Sequence, residues 1–210
     1  GDASPDHGAW VSVLGGFGSV DAKNGIAGSD TRTGGFAGGL DFALEPERVT
    51  AGVSFGYVGS RTEIDNDGGT ADAKAGFLGL YGRLEDWGIR LDGTLMGGRH
   101  YGEQSRTVTL GVATATAKGE NDGWSLGAGL QVSTGLEVAR SEDVHAVLRP
   151  FAGVTAQRYW QGAFTESGAG TANLRYGSFT RDSFVSRVGA SWEFDIQAGK
   201  ETRLSPMVSL

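Results

Sequence analysis

The sequence contains no cysteine, and only four prolines and two methionines among 210 residues. The missing cysteine excludes a disulfide framework and any thiolate metal site. Long hydrophobic runs are also missing. No stretch approaches the roughly 18 to 20 unbroken apolar residues of a spanning helix, so a membrane crossing must be made by strands. Basic clusters are absent too: 18 Lys and Arg are scattered against 25 Asp and Glu, for a net charge of -7 and a pI near 4.9. That balance argues against a nucleic-acid partner, which would favour patches able to displace phosphate counterions. Residues 1–7 are polar and carry no signal-peptide pattern, so the chain reads as a mature segment or a fragment.

What the chain has in abundance is glycine, at 37 residues, with 39% hydrophobic residues arranged at period two. This composition is poor for helices. Residues 124–137 read WSLGAGLQVSTGLE. Trp124, Leu126, Ala128, Leu130, Val132 and Leu136 alternate with Ser125, Gly127, Gly129, Gln131, Ser133 and Glu137. A run of about 10 to 14 residues with one greasy face and one small, wet face suits a tilted strand of an outer-membrane barrel, which satisfies its own backbone.

The same reading predicts strands at 9–18, 34–44, 49–59, 73–84, 87–101, 124–137, 146–160 and 184–196, with a ninth beginning at Arg203. Residues 73–84 are ambiguous in phase, because Phe77 and Tyr81 compete with Leu78 and Leu80 for the lipid side. The connections alternate. Residues 19–33, 63–72, 102–123 and 161–183 are long or medium, whereas 45–48, 85–86, 138–145 and 197–202 are short. Transmembrane barrels have this asymmetry, with short periplasmic turns and longer external loops. Under that direction Trp10, Phe42, Trp87 and Trp192 fall near the periplasmic boundary, and Tyr101, Trp124, Tyr159 and Trp160 near the external one, as interfacial rings prefer.

The polar face supplies mixed charge at Arg90, Asp92, Glu137, Arg149, Arg187 and Glu193, which are the expected pore-lining residues. A hydrated pore can hold that many charges, whereas a dry core cannot. No catalytic, cofactor or metal site is expected. His7, His100 and His145 do not form a ligand pair, and a serine with His100 and a carboxylate such as Asp92 has no nucleophile motif behind it. Residues 65–69, DNDGG, lack the third acidic position and closing Glu of a calcium loop and read as a turn. Gly16-Phe17-Gly18 has no helix after it and is not a dinucleotide fingerprint. Glu166 is expected to order a long external loop through hydrogen bonds.

In order and spacing, several segments resemble the translocator barrel of autotransporters, the type V secretion proteins of Gram-negative outer membranes. They are Trp10-Val11-Ser12, Gly39-Leu40-Asp41-Phe42, residues 52–57 (GVSFGY) and Gly79-Leu80-Tyr81-Gly82. The more specific ones are Leu148-Arg149-Pro150-Phe151-Ala152-Gly153 leading to Phe164-Thr165-Glu166, then Val188-Gly189-Ala190 and Leu204-Ser205-Pro206. The resemblance covers nearly the whole chain. It implies an all-β, antiparallel, up-and-down transmembrane barrel of 12 strands, of which residues 1–210 would supply about eight and the start of a ninth, with the last strands missing. It further implies a non-enzymatic role in exporting and anchoring an attached N-terminal passenger, in contact with outer-membrane lipid, barrel-assembly machinery and periplasmic chaperones. A small self-closed outer-membrane barrel of structural, adhesive or lipid-modifying function is the alternative, and a soluble β-sandwich comes third.

Overall fold

The computed structural model describes residues 7–24, 27–45, 48–66, 68–141, 144–197, 203–204 and 207–209. The elements are β1 (His7–Val20), β2 (Ser29–Glu45), β3 (Val49–Ile64), β4 (Gly69–Asp86), β5 (Ile89–Leu110), β6 (Ala113–Thr134) and β7 (Leu136–Arg140). They continue with β8 (Val144–Gln161), β9 (Phe164–Thr165), β10 (Arg175–Tyr176), β11 (Phe179–Gln197), β12 (Arg203–Leu204) and β13 (Met207–Ser209), plus one 3-10 turn at Gly170–Ala172. Eight long strands form one antiparallel meander in the order β1-β2-β3-β4-β5-β6-β8-β11. The result is an open half-barrel. Beyond β11, β12 and β13 pair with it in one common register and so act as a ninth strand starting at Arg203.

Consecutive antiparallel pairing fixes the ends. The β1–β2, β3–β4, β5–β6 and β8–β11 connections share one end, and the β2–β3, β4–β5 and β6–β8 connections share the other, as the loop alternation required. The extent of strand differs from the sequence reading. Residues 102–123 are not a loop: β5 and β6 stay paired from Ile89↔Thr134 out to Leu110↔Ala113 and turn at Gly111 and Val112. Likewise β3 and β4 pair out to Ile64↔Gly69, and β1 and β2 out to Val20↔Ser29. Outside a bilayer both faces of a strand can be polar, so the period-two signal stops while the hydrogen-bond ladder continues.

The expected turn at 85–86 moves to Trp87 and Gly88, since Glu85 and Asp86 pair with Arg90 and Ile89. Both turn residues have positive φ, 50° and 76°, the conformation of a tight hairpin turn that follows the twist of its strands. Asp67, Ser205, Pro206 and the 198–202 part of the last short connection lie outside the described residues, as do the side chains of Asp195 and Ile196.

The register resolves two faces. Along β6, Trp124, Leu126, Ala128, Leu130 and Val132 are exposed, whereas Ser125, Gly127, Gly129, Gln131 and Ser133 are buried or half-buried. Their cross-strand partners extend the apolar side through Ile89, Leu91 and Leu95 on β5, Leu78, Leu80 and Leu84 on β4, Val53 and Phe55 on β3, and Val154 on β8. This settles β4: Leu78 and Leu80 belong to the apolar side, 71% and 57% exposed, and Phe77 and Tyr81 to the other. Two belt assignments change for the same reason. Trp10 and Tyr159 lie at the expected heights but on the small-residue face, where each finds a polar partner.

Candidate functional site: the small-residue face

The face opposite the apolar one is the crowded side of the half-barrel. Its glycines admit large side chains from neighbouring strands. A Cβ at Gly52 would overlap the Tyr81 ring, one at Gly56 would overlap Phe77, and one at Gly39 would stand 2.6 Å from Trp10 Nε1. Aromatic rings thus lie flat across glycines of the next strand. Tyr81 is fixed there by polar contacts: Trp10 Nε1 donates to its hydroxyl at 2.8 Å, and the hydroxyl donates to the Asp41 carboxylate. This contact spans the face from β1 to β4 near the short-turn end.

Toward the short-turn end the same face carries paired charge. Arg83 Nε donates to Asp92 at 2.8 Å, Arg90 Nε to Glu85 at 2.9 Å, and Arg149 to both carboxylate oxygens of Glu193 at 2.8 and 3.3 Å. Glu137 accepts from His145 at 3.1 Å and from Arg140 at 3.3 Å, near the turn. Arg187, further from that turn, reaches Thr155 Oγ1 at 3.5 Å. Of the six residues singled out in the sequence, Arg90 and Asp92 thus belong to two separate pairs and Arg149 and Glu193 form a third, while Glu137 sits at the turn and Arg187 meets a threonine. Arg83 and Glu85 were missed. Once β4 is in phase and the turn sits at Trp87 and Gly88, they fall directly opposite Asp92 and Arg90.

His100 Nε2 and Ser125 Oγ lie 2.8 Å apart on this face, with Tyr159 edge-on to the imidazole at 5.1 Å. Asp92 does not complete a relay. It stands eight residues away along β5 and is engaged by Arg83. No group of three or more potential metal ligands occurs among the described residues.

At the long-loop end, the segment between β8 and β11 folds onto the same face of the β5–β6 hairpin. Phe164 of β9 stacks on Tyr176 of β10 at 4.5 Å, and Lys118 and Ser167 exchange two backbone hydrogen bonds at 2.8 Å. Glu166 is the centre of this fold. Only 3% exposed, it accepts from Arg106 Nε at 2.9 Å and Nη2 at 2.6 Å, and from the Leu174 amide at 2.8 Å. Arg106 Nη2 also donates to the Ala172 carbonyl at 2.7 Å. These hydrogen bonds, the Arg106 guanidinium first, hold the Glu166 carboxyl down to about 2. The loop-ordering role expected of Glu166 is the one it has; its partner Arg106 carries no sequence signal.

The chain matches the family described as Autotransporter beta-domain over residues 9–210. No curated protein matches it. Among solved structures it is similar to the translocator domain of the autotransporter NalP from Neisseria meningitidis, at 17% identity and a TM-score of 0.76, covering 99% of this chain and 68% of that one. That likeness is one of fold. The beta domain of the Bordetella autotransporter BrkA matches at 17% identity over 97% of this chain and 91% of that one, with a TM-score of 0.41 too low to carry an argument.

Proposed function

The chain belongs to the autotransporter β-domain family, and from that premise we propose that its passenger travels along the small-residue face described above. The domain is a translocator of the Gram-negative outer membrane, serving an N-terminal passenger. On this reading the Arg90–Glu85, Asp92–Arg83 and Arg149–Glu193 pairs, with Glu137 and Arg187, line the water-filled passage. The single observation that carries the reading is the segregation of charge: these pairs all share the face opposite the leucines of β4, β5 and β6.

Paired charges suit a passage through which unfolded polypeptide of any composition must move. In the three pairs each ion is neutralised by its neighbour, so neither sign of passenger residue meets a strong uncompensated trap there. The arrangement supports transport, and Asp92, the carboxylate that could have served His100 and Ser125, is held by Arg83 instead. Folding into the membrane would use the barrel-assembly machinery and periplasmic chaperones common to such domains.

Within these 210 residues an introduced cysteine has no native thiol beside it. Single cysteines at Asp92, Arg149 and Arg187 in the full-length protein are expected to react with a small charged thiol reagent in intact outer membranes and to cross-link a passenger arrested in transit. Cysteines at Leu91 and Leu130 are expected to do neither. Labelling of Leu130→Cys in preference to Arg149→Cys would reverse the assignment of faces.

A further inference from the structure

The apolar face ends, on the long-loop side, in a row of cations. The register places Arg32 of β2, Arg61 of β3, Lys74 of β4, Arg99 of β5 and Arg158 of β8 on it. In each strand the next residue on this face, toward the short turns, is small: Gly34, Gly59, Gly76, Gly97 and Ala156 respectively. One step outward on three of these strands stand Asp30, Glu63 and Asp72. Much of this row is neutralised on the same face: Arg61 is bridged to Glu63 and Asp72, Arg99 to Asp122, and Arg158 to Asp182 directly across from it. At the short-turn boundary the described strands carry no Lys or Arg on this face.

A groove of about 780 Å³ opens beneath the middle of the row. Phe36 and Phe55 form one wall, Trp124 and Trp160 the other, and Gly76 and Gly97 the floor. A Cβ at Gly76 would meet nothing within 4 Å, so the depth of the groove depends on glycine there. Arg99 closes the outer end. Its guanidinium lies over Trp124 at 4.5 Å and Tyr101 at 5.2 Å and is bridged to Asp122 at 2.9 Å. Lys74, diagonal to Arg99 across β4 and β5, is exposed and makes no ion pair among the described residues.

We propose that this groove is a binding site for a phosphorylated, acylated lipid of the outer leaflet, one acyl chain lying over Gly76 and Gly97 and a phosphoryl group resting on Lys74 and Arg99. The unpaired charge beside the groove selects this occupant. A neutral or zwitterionic lipid would gain nothing from Lys74 at the hydrocarbon edge, whereas an anionic headgroup would supply the partner that Lys74 does not find among the described residues and would share Arg99 with Asp122. Arg99 keeps free donors beyond its bond to Asp122, and its aromatic bed holds the guanidinium in place.

The experiment is native mass spectrometry of the full-length protein extracted from outer membranes in mild detergent. The probes are a doubly phosphorylated acylated glucosamine disaccharide and the same lipid stripped of its phosphates. The unaltered protein is expected to retain the phosphorylated probe over the stripped one by roughly tenfold or more, at about fivefold for each cation. Lys74→Gln with Arg99→Gln should remove the preference, Gly76→Leu should lower retention of both probes, and Arg140→Gln at the opposite end should change neither. Equal retention of the two probes by the unaltered protein overturns the proposal without reference to any variant. So does an undiminished preference in the heat-modifiable, folded double variant.

Discussion

Arg106 and Glu166, 60 residues apart in sequence, close the outer end of the half-barrel: the arginine rises from β5 and both carboxylate oxygens accept from it. The pair joins a hairpin built of regular strand to a segment with almost none. Because Glu166 also accepts the Leu174 amide, one side chain determines both the internal fold of that segment and where it docks.

That clasp gives a pH dependence. The Glu166 carboxyl is held at about 2, below the ordinary 4.5. A depressed carboxylate contributes stability that is complete above the unfolded value and is lost as pH falls through the folded one. Hydrogen exchange at the Ala169 and Leu174 amides is therefore expected to show an unchanged clasp at pH 6 and a loosening that grows from about pH 4.5 down to pH 2. In Glu166→Gln the segment should be looser at pH 6 and lack this acid-dependent step. A variant and parent with the same acid profile would assign the step to another group.

Most of the architecture was legible in residues 124–137 and their counterparts, because a bilayer makes every second side chain apolar over a stretch of fixed length. That rule covers only what the bilayer touches. Beyond it, Gly102 to Arg106 and Lys118 to Gly123 are strand with no period-two signature; they separate the alternation of Thr107 to Leu110 and Ala113 to Ala117 from the membrane strands, and the long hairpin read as a loop. The candidate site was legible by half. Isolated charges at Arg90 and Asp92 stood out on a clear strand, but their partners Arg83 and Glu85 lie at the end of β4, the strand where aromatic residues occupy the small-residue face. Trp10 was misplaced because a tryptophan near a boundary suits a belt equally well, and only the position of Tyr81 across two intervening strands shows where its indole nitrogen goes.

The assignment of faces on β6 has a measurable cost attached. Leu130 is 51% exposed on the apolar side, and Gln131 is half-buried on the other. An arginine at the bilayer midplane on a lipid-facing position costs roughly 2–4 kcal/mol, and a lumen position largely escapes that cost. Leu130→Arg should therefore lower the folded fraction in lipid vesicles well below that of Gln131→Arg, read as the heat-modifiable band on a gel. Equal folding of the two would show that β6 has the opposite phase.

The hairpin joining β4 and β5 places a tryptophan at φ 50°, where bulky side chains are uncommon. Asparagine enters that region readily, and Asn-Gly is the preferred pair for this turn. Trp87 is 94% exposed, so little packing is lost on replacing it. Trp87→Asn is expected to raise stability by about 0.5–1 kcal/mol in urea unfolding from vesicles. A loss of stability of similar size would mean that the ring anchors the turn at the membrane boundary more strongly than the turn strains it.

Gly52 and Tyr81 test whether the crowded face governs folding. The Gly52 position is filled by the Tyr81 ring, which is itself fixed by Trp10 and Asp41, so the ring has no easy direction in which to yield. Overpacking of this kind costs typically about 1–3 kcal/mol. Gly52→Ala alone should slow or reduce barrel assembly, and Tyr81→Ala alone should also weaken it, by vacating the glycine and leaving the Trp10 nitrogen without its acceptor. Because the two residues occupy one space, the double variant should be better folded than the sum of the single effects, with a coupling of about 0.5–3 kcal/mol. Additive losses across the cycle would mean that the ring moves aside for a methyl group, and the close approach of Tyr81 to β3 would then be incidental to assembly.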